Sequence, residues 1–156
     1  MGTPAPLGTS ASGPALHLVE AAPAVRAVVP ATVLLPYAPE SASAARRLVR
    51  DKLTAWELPG LVDDAQSIVS ELVANAVGTG CHRRMAVTIR RVTVQTVRIA
   101  VRDGSRVMPV MVDAGPVAES GRGLAMVHRL TGGHWGVQVE ALGKTVHADL
   151  RARVVP

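Results

Sequence analysis

SIVSELVANAV, residues 67–77, decides how this chain folds. At 3.6 residues per turn, Ile68, Val69, Leu72, Val73 and Ala76 fall on one broad apolar side, so the stretch reads as a helix with one face in a core. Glu71 and Asn75 are four residues apart and share the edge of that side. An isolated E-x-x-x-N is ordinarily the wet flank of a helix; the segments downstream give this pair a chemical setting. Asp63 and Asp64 open the helix, where carboxylates suit the positive end of its dipole. Gly78-Thr79-Gly80 is a plausible stop.

Working outward, Ser41 or Ser43 caps an earlier helix that runs to about Leu58. Ala44, Leu48, Lys52 with Leu53, and Trp56 trace one of its sides, while Arg46, Arg47, Arg50 and Lys52 make the rest strongly basic. Pro59-Gly60 breaks it. Before it, Ala31 to Tyr37 reads as a short strand ended by Pro36, at a sheet edge. After the central helix, Met85, Val87 and Ile89 alternate with other residues, as do Val97, Ile99 and Val101. These are two half-buried strands, antiparallel neighbours through a turn at Val92 to Gln95. Asp103-Gly104-Ser105 ends the second. Val107 to Ser120 has no period and reads as a loop. Gly121-Arg122-Gly123 opens a helix to about Leu130. Trp135, Val137 and Val139 mark a strand, and Leu142-Gly143-Lys144 turns it back into Thr145 to Leu150. This order implies an α+β two-layer sandwich: a mixed, mostly antiparallel sheet with helices on one face.

Composition limits the rest. The chain has 156 residues, 48% of them apolar, but aromatics are 2% and Phe is absent, so Val, Leu, Ala, Ile and Met must build the core. That length suits one domain. Residues 1–30, rich in Ala, Pro, Gly and Ser, read as a disordered tail ahead of a domain at 31–154. The net charge of +5 (17 basic, 12 acidic) admits an anionic ligand or an acidic protein surface. Direct nucleic-acid binding is disfavoured by the lack of aromatic platforms and of a helix-turn-helix signal. One cysteine, Cys81, fits a reducing cytoplasm. No apolar run reaches the roughly 18 residues that span a bilayer.

Three segments can carry chemistry. Asp103, at a strand end, can accept a hydrogen bond from an exocyclic amino group such as adenine's, and Gly104 lets a base approach. Gly121-Arg122-Gly123, at a helix start, presents backbone N–H groups and a positive dipole end to phosphate. Asn75 presents an amide oxygen to a hard cation such as magnesium. Glu71, one turn away, can orient or deprotonate a nucleophile. The five histidines lack metal-ligand spacing, and no strand–GxxxxGK[ST]–helix is present.

The succession ELVANAV, VRDGS, ESGRGLAMV and GKTVHADL resembles the histidine-kinase-like ATPase fold shared by gyrase and sensor kinases. The short loop between Asp103 and Gly121 resembles the anti-sigma-factor serine kinases, and among them the small actinobacterial ATP-binding regulatory proteins. The resemblance covers about Ala31 to Val154. It implies Glu71 as catalytic base and Asn75 as the residue holding Mg²⁺ against the phosphates. It implies Asp103 as the adenine N6 acceptor, with Gly104 in the accompanying turn. Gly121 and Gly123, with Arg122 and Leu124 between and beside them, match the phosphate-binding glycine segment. Thr145 matches a threonine near the adenine, and Arg122 and Lys144 are further phosphate contacts. Two departures stand out: Thr79-Gly80 where the family often has histidine followed by alanine or glycine, and Ser105-Arg106-Val107 where a further glycine is usual.

Taken together, the expected function is that of an ATP- and Mg²⁺-binding anti-sigma factor with serine/threonine kinase activity. It would phosphorylate an anti-sigma-factor antagonist and control transcription by partner switching with a sigma factor. The basic first helix is then a contact surface, and homodimerisation is implied by the resemblance alone. The alternative is a non-catalytic module that uses ATP as an on/off ligand for protein binding.

Overall fold

The computed structural model describes residues 2, 29–79, 81, 83–109 and 122–153. The expected tail lies outside these residues except for Gly2, Val29 and Pro30, as does most of the expected loop after Val107. The elements run β1 (Ala31–Leu35), α1 (Ser41–Ala55), a 3-10 turn (Pro59–Leu61), α2 (Val62–Val77), β2 (Met85–Arg91), β3 (Thr96–Asp103), α3 (Arg122–Thr131), β4 (Trp135–Glu140) and β5 (Gly143–Arg151). The strands form one sheet in the order β1-β2-β3-β5-β4. All four pairings are antiparallel, with β1 at one edge and β4 at the other. Among the described residues no helix is long and apolar enough to cross a membrane.

Strand alternation sends one set of side chains toward the helices. Val33, Val87, Val101, Val146 and Val137 stand in register across the five strands. With Met85, Ile89, Val97, Ile99, Ala148 and Leu150 they meet α2, whose Ile68, Val69, Leu72, Val73 and Ala76 are at most 1% exposed. The apolar side read from SIVSELVANAV is thus the centre of the core. Each fully buried Val, Leu or Ile contributes about 1.5–3 kcal/mol relative to exposure, so small aliphatic side chains at this density replace the missing aromatics.

Helix α1 departs from the expected reading in three ways. Its buried stripe is Ala45, Val49 and Leu53, while Ala44, Leu48 and Trp56 are only partly buried. The core lies slightly around the helix from the side that Leu48 and Trp56 suggested. Ser41 does not cap the helix: its hydroxyl donates to the Pro36 carbonyl at 2.6 Å and ties the β1–α1 turn, while Glu40 holds the cap position without a side-chain bond. The helix also stops at Ala55, three residues early. Glu57 takes φ of 60°, Leu58 N–H donates to the Leu53 carbonyl and Glu57 N–H to that of Thr54, which is a Schellman stop ahead of Pro59. Part of the basic face is internal, since the Arg46 guanidinium donates to Ser70 Oγ on α2 at 3.1 Å.

The other face of the sheet is polar. Arg98 forks onto Asp149 at 2.7 and 2.8 Å, and Arg102 pairs with Glu140 at 2.8 Å. The Arg98 bond holds the Asp149 carboxyl below the usual range, outweighing burial, which pushes the other way. Burial, followed by the charge of Arg98, lowers the neighbouring His147.

Gly143 locks the β3–β5 junction beside the site. A Cβ there would overlap the Asp103 carbonyl oxygen and lie 3.1 Å from Gly104 Cα. Both neighbours are backbone, so nothing flexible can yield. Gly143→Ala is expected to destabilise the fold by about 1–3 kcal/mol. A lower urea midpoint with an unchanged m-value checks this; an unchanged midpoint would mean the strands part without penalty.

Candidate functional site

The cleft between α2, the start of α3 and the ends of β3 and β5 has a volume of about 480 Å³. That is within the range of small-ligand sites. Glu71 and Asn75 line it from α2, Ser105 from the turn after β3, Gly123 and Leu124 from α3, and Lys144 from β5. Residues from four separate segments, spanning positions 71 to 144, therefore meet in one place.

The α2 side and the α3 side are fitted to each other at Glu71. A Cβ on residue 123 would overlap the Glu71 carboxylate and lie 3.2 Å from its Cγ, so glycine there lets the acid sit directly against the first turn of α3, and a larger residue would make it swing aside. Asn75, one turn on, has its Nδ2 buried with no hydrogen-bond partner among the described residues. An unpartnered buried amide costs about 1–3 kcal/mol. A ligand acceptor in the cleft removes that cost. With the amide turned over, the same position presents an oxygen. Gly121 lies outside the described residues. Arg122 is the first residue of α3. Leu124 is 3% exposed and belongs to the core as well as the cleft wall.

Asp103 ends β3 on the core face, beside Val101 in the same alternation. Its Oδ1 accepts from Ser105 N–H at 2.8 Å, which forms the turn. Gly104 N–H donates to Tyr37 Oη at 3.0 Å. Tyr37, the one tyrosine, is raised above its ordinary pKa chiefly by burial, partly offset by that bond. It braces the Asp103 turn from the β1–α1 connection, a role the sequence reading did not assign.

Directly opposite Asp103 across the β3–β5 ladder stands Lys144. Its Nζ is 3.0 Å from each Asp103 carboxylate oxygen, and both side chains are 2% exposed. This is a fully buried ion pair. Lys144 lines the cleft, whereas Asp103 stands behind it. Thr145 requires a correction. Alternation along β5 turns it to the opposite face of the sheet, in register with the exposed Arg102, where its hydroxyl pairs with Glu140 at 3.1 Å. The residue at the cleft is its neighbour Lys144. The signal was available: Val146, Ala148 and Leu150 share one side, and two residues back along that side is 144.

A nucleoside triphosphate with a hard cation fits the two ends of this cleft unequally. The α2–α3 end, with an orphaned amide and a glycine-lined helix start, suits phosphate and its cation. At the Asp103 end the carboxylate already has internal partners. Among the described residues no cluster of three or more His, Cys, Asp or Glu could hold a metal alone. This is compatible with magnesium, which keeps several waters and leans on phosphate.

No curated protein matches the chain. Among solved structures, it resembles the crystal structure of the RsbU and RsbW domains of Rv1364c from Mycobacterium tuberculosis, with a TM-score of 0.59 at 22% identity. The match covers 79% of this chain and 32% of that one, so this chain spans about a third of that protein's length and the likeness is one of fold. The family model of the histidine kinase-like ATPase domain matches residues 35–148. With that match across most of its length, the chain belongs to the histidine kinase-like ATPase family.

Proposed function

We propose that this chain is an ATP-binding regulatory protein of the anti-sigma-factor kinase type, which phosphorylates a serine or threonine on an anti-sigma-factor antagonist in the cytoplasm. The observation that carries the reading is the pairing on α2: Glu71 against the glycine start of α3, and Asn75 one turn on, lining the same cleft with a buried amide that has no partner among the described residues. The Asn75 amide orients the phosphates or the cation between them. Mg²⁺, when bound, neutralises phosphate charge there. Glu71 takes the proton from the incoming hydroxyl. The exposed Arg47 and Arg50 on α1 suit an acidic partner surface.

A second reading has its own support. The Lys144–Asp103 pair alters the end of the cleft that would recognise the base, which favours a module that responds to nucleotide without transferring phosphate.

Calorimetric titration of Mg·ATP into wild type and Asn75→Ala tests the site. Affinity is expected to fall by about tenfold in the variant, with the melting temperature of the free protein no lower than that of wild type, since an unpartnered amide is removed. Equal affinity would remove Asn75 from the site. Incubating partners captured in the presence of Mg·ATP with γ-labelled ATP then separates the two readings. Labelled phosphoserine or phosphothreonine is expected; nucleotide-dependent capture without label assigns the chain to the second.

A further inference from the structure

We infer that Lys144 is a built-in occupant of the base-recognition position, so that the cleft takes nucleoside polyphosphates by their phosphate end without selecting adenine. This rests on the nucleotide-binding reading above and concerns which nucleotide the cleft accepts. The Lys144 ammonium has three N–H groups. One donates to Asp103 Oδ1 at 3.0 Å and another to the Ser105 carbonyl at 3.4 Å, while Asp103 Oδ2 lies 3.0 Å from the same nitrogen. Asp103 Oδ1 also accepts from Ser105 N–H at 2.8 Å. The carboxylate is thus satisfied from within the chain, by a donor that carries a full positive charge.

Competition for that carboxylate is unequal. A neutral amino group makes a weaker hydrogen bond than an ammonium. To reach Asp103, a base must also leave the Lys144 charge buried without its counter-ion, which is strongly unfavourable. Strand register sets Lys144 directly opposite Asp103, and Gly143 packs against the Asp103 backbone, so the two strands are held together at the pair. What the cleft shows a base is therefore the flank of a lysine paired internally, which distinguishes poorly between a 6-amino and a 6-oxo purine. The phosphate end, built on Asn75 and Gly123, is untouched by the pair.

The test is calorimetry with ATP and GTP, each with Mg²⁺, on the full chain as wild type, Lys144→Thr and Lys144→Met. Wild type is expected to bind the two nucleotides within about threefold of each other, and both variants to prefer ATP by about tenfold or more, as Asp103 regains a use for the amino group. Wild type binding neither nucleotide while a variant binds ATP overturns the inference, because the phosphate end alone would then not hold a nucleotide. An ATP preference of about tenfold in wild type overturns it, whatever the variants do, and leaves the nucleotide-binding reading standing. Variants that bind nucleotide without gaining an ATP preference also overturn it. Should both variants fail to fold, the wild-type ratio alone decides. Binding of neither nucleotide by any folded form overturns this inference and the nucleotide-binding reading together.

Discussion

Replacing Lys144 by methionine is expected to lower the unfolding free energy by about 3–5 kcal/mol, because it strips a buried carboxylate of its counter-charge. Asp103 and Lys144 are each 2% exposed at the side chain, so methionine at 144 leaves the carboxylate poorly solvated behind the cleft wall. Asp103→Leu is expected to be similarly damaging, since it strands the ammonium. The double variant removes both charges, and replacing a buried pair by apolar groups is often close to neutral. Its stability is expected to return to within about 1–2 kcal/mol of wild type, the remainder reflecting the lost Ser105 turn bond. Denaturant titrations of the four proteins at one pH give the coupling energy directly. Additive single effects would show that the two side chains do not stabilise one another, and would remove the physical basis for Lys144 as an internal occupant.

That pair also marks where the sequence was harder to read. The α2 face was legible because five apolar positions repeat at helical spacing and nothing competes with the pattern. The β2 and β3 strands were legible from alternation, whereas the turn at Val92–Gln95 followed only from its place between them, since no glycine or proline marks it. The meeting of Glu71, Asn75 and Gly123 in one cleft followed from motif order rather than from any local signal, since no propensity reports contacts fifty residues apart. Lys144, placed in the turn and matched by resemblance to a phosphate contact, is instead a buried residue of β5 whose ammonium is paired with Asp103. Phase decides the matter: residue 144 belongs to the same side as Val146, and the paired carboxylate makes that side tolerable for a cation. Thr145 was misplaced by the same one-residue error, which in a strand changes the face. The α1 stripe was off for a gentler reason. On a helix rich in alanine the boundary between core and flank is soft, and Arg46 was recruited inward by Ser70. Glu57 at positive φ was illegible in principle, because a left-handed stop is commonly glycine and here Pro59 and the Leu58 N–H bond hold it.

The second large effect is expected at Glu71. Glu71→Gln keeps the length and shape of the side chain, and so keeps its contact with Gly123, but replaces the basic oxygen with an amide. If Glu71 takes the proton from the attacking hydroxyl, phosphoryl transfer to the partner is expected to fall by about 10²–10⁴-fold. Nucleotide affinity, set at Asn75 and the α3 start, is expected to change by less than about threefold, and stability by no more than about 0.5 kcal/mol. Single-turnover transfer at saturating Mg·ATP, alongside a calorimetric affinity, separates these quantities. The split matters because a merely structural Glu71 predicts the opposite pattern: affinity and melting temperature would fall together, with transfer following them. Transfer retained within about threefold of wild type would take proton abstraction away from Glu71. The α2 pair would then act as a phosphate clamp, its acid a spacer that holds the first turn of α3 at the correct distance from Asn75.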